Sequence, residues 1–353
     1  MAATLETNMN LLNNMKNLSN PSIFTTIFLA AVLLGSGCGQ NSTDSVPSAT
    51  ITPSAPPQRP GGSGHVIALI PKLTNTVYWQ SVLAGAKEAG KDYGYDILWN
   101  GPDRETNSAG QIEIINNFIA SKVDGVVMAP VDRTALVPSV DQLATLGIPC
   151  VIIDSGLDDV NFLSIASTDN YQGGVLAAEQ LGQALGGKGN VLVVRHIAGS
   201  HATIKRLGGF SDTLAKEFPD IKIVDSESGQ DAAEIAKGVT TQMLANHPDV
   251  QGLFACNVDV SVGALEALQS ANRTDVKMVA FDPAKSLIDG LKTGEVVAIV
   301  VQDPYNMGYQ GVKVLALHSK GQSSPRVIDT GVEVVTMANI TDPKIMRLLG
   351  EQQ

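Results

Sequence analysis

The chain has 353 residues, 44% hydrophobic and 17% charged, a balance that supplies cores for two ordinary domains and excludes a disordered polymer. Its 24 Lys and Arg stand against 35 Asp and Glu, a formal net charge of −11 with no run of basic residues, so a nucleic-acid partner is not expected.

The N-terminal region reads as a targeting segment. In MKNLSNPSIFTTIFLAAVLLGSGCGQ (15–40), Lys16 precedes an apolar run from Ile23 to Leu34, and small residues lead to Cys38, the layout of an export signal that could start at Met1 or at Met15. The apolar run is about a dozen residues, short for a bilayer span. The pattern resembles a bacterial lipoprotein signal, in which Cys38 becomes the lipidated first residue of the mature chain, although Gly35 stands where such signals usually carry an aliphatic side chain. Cleavage nearby and a retained N-terminal anchor are the alternatives. Residues 1–37 are expected to be the signal, and residues 38–64, rich in Ser, Thr, Pro and Gly, a flexible tether.

The remainder alternates strand and helix. Apolar strands are expected at 65–70, 95–99, 124–129, 149–154, 190–194, 221–225, 252–256, 276–281 and 296–301, with helical periodicity between them at 109–122, 173–185 and 262–271 among others. Continuous apolar strands separated by helices imply parallel sheets covered on both faces, and nine of them fit two similar α/β lobes better than one sheet.

In such sheets ligands bind outside the carboxyl ends of the strands. Lys72 follows the first strand; Asp154 and Ser155, Asn257, Asp282, and Gln302 with Asp303 follow later ones, and Arg206 lies in the helix after residues 190–194. Taken singly, Asp, Asn or Ser at such a place is as readily a turn or helix cap, but Lys72, Arg206 and Gln302 are poor caps. As a set they suit a polyol: carboxylates accept from neighbouring hydroxyls, Lys, Arg and Asn donate to the same oxygens, and Gln does either. Tyr78 and Trp79 offer faces for the C–H side of a sugar ring. Asp154 and Asp282 against Lys72 and Arg206 cancel formally, which favours a neutral ligand over a phosphate or a dicarboxylate.

Other features read as structural. Cys150 and Cys256 lie in apolar strands of different lobes, as buried thiols. The five histidines show no metal-ligand spacing, with His201 a minor ligand candidate; no metal or cofactor is expected. GGKG (186–189) precedes a strand and is a turn, and Trp99 is placed at a sheet edge.

The segments IALIPKLTNTVYW, GQIEIINNFIASKVDGVVMAPVD, GIPCVIIDS, STDNYQGG, IAGSHATIKRLGGF, HPDVQGLFACNVDVSVGALEAL, VAFD and VVQDPYNMGYQG resemble, in order, the ribose-binding-protein branch of the type I periplasmic sugar-binding proteins of ABC importers, over roughly Val66 to Val335. The resemblance implies two α/β lobes joined by three chain crossings, 65–168 with 303–330 and 169–302 with 331–353. It places ligand contacts on Lys72, Tyr78, Trp79, Asp154, Ser155, Arg206, Asn257, Asp282 and Gln302, and crossings near 168–170, 302–304 and 329–332. Ribose binders carry Arg where this chain has Ser155, Ser where it has Lys72, and Asp where it has Val258. The IPK opening and NGPDRETNSAGQIEIINNFI look closer to relatives that bind autoinducer-2.

The expected protein is a monomeric, extracytoplasmic solute-binding protein, not an enzyme. It would pass a monosaccharide or similar neutral polyol to a membrane permease and be held at the membrane by its N-terminal lipid; the alternative is a sensor presenting sugar or autoinducer-2 to a membrane receptor. A sugar-responsive repressor with the same core would need a basic helix-turn-helix where the export signal stands. No G-x-G-x-x-G follows a strand and no G-x-S-x-G elbow occurs, which disfavours a dehydrogenase or hydrolase.

Overall fold

Runs such as HVIALI and CVII are buried on both faces, which is what strands in the middle of a helix-covered parallel sheet require. The computed structural model describes residues 64–158 and 161–350, so the expected signal, Cys38 and nearly all of the expected tether lie outside the described residues. The first half runs β1 (His65–Ile70), α1 (Val77–Tyr93), β2 (Tyr95–Trp99), α2 (Ser108–Ala120), β3 (Gly125–Met128), α3 (Val137–Thr145), β4 (Cys150–Ile153) and β5 (Ile165–Ser167). The second runs α4 (Asn170–Ala184), β6 (Lys188–Arg195), α5 (His201–Glu217), β7 (Asp220–Ser228), α6 (Ala233–Asn246), β8 (Gly252–Ala255), α7 (Val258–Ser270), β9 (Lys277–Phe281), α8 (Lys285–Thr293) and β10 (Val296–Gln302). The chain then adds α9 (Pro304–Ser319), β11 (Val327–Asp329), β12 (Val332–Val335) and α10 (Pro343–Leu348).

Two six-stranded sheets result, ordered β11-β5-β4-β3-β1-β2 and β12-β10-β9-β8-β6-β7. The first is parallel throughout, and in the second only β12 runs antiparallel, against β10. The two orders correspond strand for strand, so β1 matches β6 and β4 matches β9. The chain passes from one sheet to the other three times: between β5 and α4, between β10 and α9, and between β11 and β12. The third passage is a tight step at Thr330 and Gly331. Gly331 sits at φ 91°, which glycine adopts without strain, and its carbonyl accepts from Thr168 Oγ1 of the first passage at 3.2 Å.

Helix ends follow local chemistry. Thr76 caps α1 by accepting from the Trp79 amide, and left-handed Gly94 (φ 81°) stops that helix. Asp303 caps α9, whose first residue, Pro304, has no amide hydrogen to leave unsatisfied. The turn expected at 186–189 closes through left-handed Gly186 and Gly187.

Both halves pack helices at backbone contact. A Cβ on Gly85 of α1 would lie 1.9 Å from the Tyr305 carbonyl oxygen of α9, and one on Gly174 of α4 would lie 1.9 Å from that of Arg206 in α5. The first sheet is covered on one face by α2 and α3 and on the other by α1 and α9, whose Met307, Val312, Val314 and Leu315 join Ile67, Leu69 and Val127. The second has its own core, including Phe210 and Phe254, stacked with centroids 4.4 Å apart. Cys150 and Cys256 are both buried, one in each half, and Trp99 lies on edge strand β2 against the core. Among the described residues no helix is long and apolar enough to cross a membrane.

Candidate functional site

The carboxyl ends of both sheets face one cavity, with about 450 Å³ of space unoccupied by protein atoms, part of it open to solvent. Eight of the nine residues expected from sequence line it: Lys72, Tyr78, Trp79 and Asp154 from the first half, and Arg206, Asn257, Asp282 and Gln302 from the second. Ser155 does not. Its hydroxyl turns to the start of α5 and accepts from the Ala202 amide at 3.1 Å, so it supplies a contact between the halves instead of a wall of the cavity.

Two buried ionic groups anchor the floor. In the first half, Lys72 Nζ lies 2.7 Å from Asp154 Oδ2 and the Tyr78 hydroxyl donates to Asp154 Oδ1 at 2.7 Å, with Lys72 and Asp154 each about 5% exposed. Burial opposes ionisation of Asp154, but the Lys72 ammonium and these hydrogen bonds hold its carboxyl below the usual range. Burial, and then the Asp154 charge, push the Tyr78 phenol well above its ordinary value, so it remains a donor.

In the second half, Arg206 donates from Nε to Asn170 Oδ1 at 2.8 Å and from Nη1 to the Cys256 carbonyl at 2.9 Å. Its guanidinium lies 3.7 Å from the centroid of the Phe281 ring and 3.8 Å from Asp282 Oδ2. Gln302 Nε2 donates to both Asp282 oxygens, at 2.9 and 3.0 Å, leaving its own Oε1 without a protein partner. Burial outweighs these neighbours and carries the Asp282 carboxyl up to about 6. The Asn257 side chain accepts from the Val260 amide to cap α7, and the residue also lines the cavity.

Sequence reading passed over Glu105, His196, Ser200, Thr203 and Asp259, all of which line the cavity. The strand-end rule would have found Glu105 had it been applied to the segment after β2, and His196 is the residue next to the end of β6. Glu105 accepts from Trp79 Nε1 at 3.0 Å, so this tryptophan also positions an acid. Glu105 is raised to about 7 by burial, against the pull of Lys72, while His196 is lowered to about 3 by burial and by Lys72 and Arg206. The His196 imidazole is therefore neutral, with both ring nitrogens buried and unbonded by protein groups. His201 lies outside the cavity lining, against Gly156.

The halves also touch around the rim. Arg104 Nη2 meets Asp231 Oδ1 at 2.5 Å, Thr106 Oγ1 donates to the same carboxylate at 3.0 Å, and the Arg133 amide donates to the Gly199 carbonyl at 3.0 Å. Among the described residues no His, Cys, Asp and Glu cluster could hold a metal ion.

Residues 67–323 match the family described as the periplasmic binding protein domain. The chain is 31% identical to a D-ribose/D-allose-binding protein of Pseudomonas aeruginosa, over 76% of this chain and 88% of that protein. Its fold matches a carbohydrate transporter solute-binding protein of Agrobacterium radiobacter, solved with D-arabinose, at 35% identity and TM-score 0.79, covering 81% of this chain and 99% of the other. It also matches an ABC transporter solute-binding protein of Agrobacterium vitis, solved with D-fucose, at 35% identity and TM-score 0.77, covering 80% and 99%. With its fold, its paired sheets and more than half its length matched, the chain belongs to the periplasmic binding protein family, in the type I branch that includes the ribose-binding proteins.

Proposed function

We propose that the protein captures a monosaccharide or a similar polyol between its two halves and delivers it, outside the cytoplasmic membrane, to the permease of an ABC-type importer, with no bond made or broken. The observation that carries this reading is a cavity walled by hydrogen-bonding side chains from both sheets, with Tyr78 and Trp79 beside them. Both halves must contact the ligand for it to favour the closed form, since a ligand shifts an equilibrium only through its preference for one state. Residues 65–168 with 303–330 and 169–302 with 331–353 act as the two moving bodies, and the three passages between the sheets absorb the rotation. The protein works as a monomer, held at the membrane by lipid on Cys38 and spaced from it by the tether at 38–64. The sugar-binding relatives and the donor and acceptor chemistry of Lys72, Asp154, Arg206, Asn257, Asp282 and Gln302 support this reading.

A thermal-shift panel of pentoses, hexoses and polyols, followed by small-angle scattering with the best ligand, tests it. A ligand that raises the unfolding temperature and reduces the radius of gyration supports the clamp. Tight binding with unchanged scattering and unchanged tryptophan fluorescence would place the site within one half. Release of Cys38→Ala from the membrane fraction tests the anchor, and an unlipidated mature N-terminus elsewhere in the chain would refute it.

A further inference from the structure

The charges lining the cavity do not balance. Lys72 is matched by Asp154 at 2.7 Å, and Arg206 faces Asp282 at 3.8 Å. Two carboxylates remain, Glu105 on the segment after β2 and Asp259 in the first turn of α7, so one is contributed by each half. Glu105 accepts from the neutral Trp79 indole at 3.0 Å, and the neutral His196 imidazole places Nε2 3.8 Å from its other oxygen. Asp259 feels Asp231, Asp282 and Glu234, all acidic, and burial together with these charges lifts it to about 6. Asp259 in turn helps to hold Glu105 up.

The cavity thus holds two acids more than its two cations balance: Lys72 draws on Glu105 but is already paired with Asp154, and the charges acting on Asp259 are all acidic. Beside Glu105 stands His196, 3% exposed, a residue of the same cavity wall whose two ring nitrogens are unbonded by protein. An uncompensated carboxylate out of water is costly, and the cost is removed by a proton or by a positive donor on the ligand. A hydroxyl supplies one proton to share; an ammonium group supplies three donors and the missing charge.

We infer that Glu105 and Asp259 form a subsite for a protonated amine, so that the preferred ligand is an amine-bearing monosaccharide or cyclic polyol, with His196 hydrogen-bonded to a hydroxyl beside the amine. The inference rests on the sugar-capture reading and sharpens its ligand class. It leaves Lys72, Asp154, Arg206, Asp282 and Gln302 to hold the hydroxyls common to all such ligands.

The test is calorimetric binding near pH 7 to three forms of each sugar in a panel of aldoses: the parent, the 2- or 3-amino sugar and its N-acetylated derivative. The amine should bind roughly tenfold or more tightly than its parent, as a charge-assisted hydrogen bond requires, and acetylation should abolish the gain. In Asp259→Asn and Glu105→Gln the ratio of amine to parent affinity should fall several-fold, a readout that general loss of fold would not produce. Parent sugars that bind as tightly as their amines, or a ratio unmoved in both variants, would overturn the inference while leaving sugar capture standing. A panel in which no form binds would overturn both.

Discussion

Asp154 and Asp282 occupy the same position in the two halves of the protein, each directly after the matching strand of its sheet, β4 or β9, and each in the left-handed backbone region at φ 62° and 66°. Non-glycine residues enter that region at some cost, Asp and Asn most readily. The turn aims both carboxylates into one cavity, but their neighbours separate them. Asp154 sits against a lysine and a phenol and is held ionised; Asp282 shares its oxygens with Gln302 and is held up by burial.

Asp154→Asn keeps the shape of the side chain and strands the buried Lys72 ammonium. Breaking such a pair from one side costs about 3 kcal/mol or more. The urea midpoint should therefore drop in the absence of ligand, and binding should weaken with it. The double variant Lys72→Met with Asp154→Leu should regain much of the stability and none of the binding. If Asp154→Asn unfolds at the same urea concentration as the parent, the pair is not a structural anchor.

Glu105 gives the unliganded protein a pH-dependent stability of definite sign. Its folded value of about 7 lies above its ordinary value of 4.5, so the folded state holds the proton more tightly than the unfolded chain between those values. Stability is then lost as pH rises through this window, by roughly 3 kcal/mol at most for this group. Asp259 and Asp282, both at about 6, add in the same direction. Unfolding at pH 5 and pH 7.5 should differ accordingly, and Glu105→Gln should shrink the difference; an equal difference in the variant would rule Glu105 out as its source.

The Arg104–Asp231 ion pair links the halves at the rim, where Arg104 is half-exposed. Asp231→Asn should favour the open form and lower ligand affinity roughly two- to fivefold, as expected for a pair open to solvent on one side. The affinity of the parent protein should fall with added salt more steeply than that of the variant. Identical salt dependence would show that the pair does not bias closure.

Gly174→Val would drive a side chain into the Arg206 carbonyl, 1.9 Å from where its Cβ would stand. Helices α4 and α5 must separate, at about 1–3 kcal/mol, and Arg206 moves with α5. Ligand affinity should fall at least as far as that of a variant of equal stability substituted elsewhere in the second core. A destabilised protein with undiminished affinity would separate helix packing from the position of Arg206.

Much of this architecture is legible in the sequence because buried parallel strands are nearly continuous apolar runs, and HVIALI, GVVM and VVAIVV mark their own positions. The strands that escaped notice are β5, β11 and β12, three or four residues long, at or next to the margin of a sheet, where Val327 is exposed and no buried run forms. In the cavity, Lys72, Arg206 and Gln302 stood out because their chemistry does not suit a cap. His196 and Asp259 did not, because a lone histidine after a strand and an Asp in the first turn of a helix are ordinary where they stand. Their meaning comes from what the opposite half brings against them. Ser155 shows the reverse: its position is right by rule, and its hydroxyl is taken by an amide.

The three passages between the sheets also set an order of assembly. Helix α9, which covers one face of the first sheet, and β11, which completes that sheet's edge, come from residues 304–329, after every helix of the second half except α10 has been made. As the chain emerges from the ribosome, Ile67, Leu69 and Val127 therefore have no partner from α9 until almost the whole protein is available. The half that begins first therefore lacks α9 and β11 until the second half lacks only β12 and α10, in contrast to the usual case in which domains fold as units from the N-terminus onward.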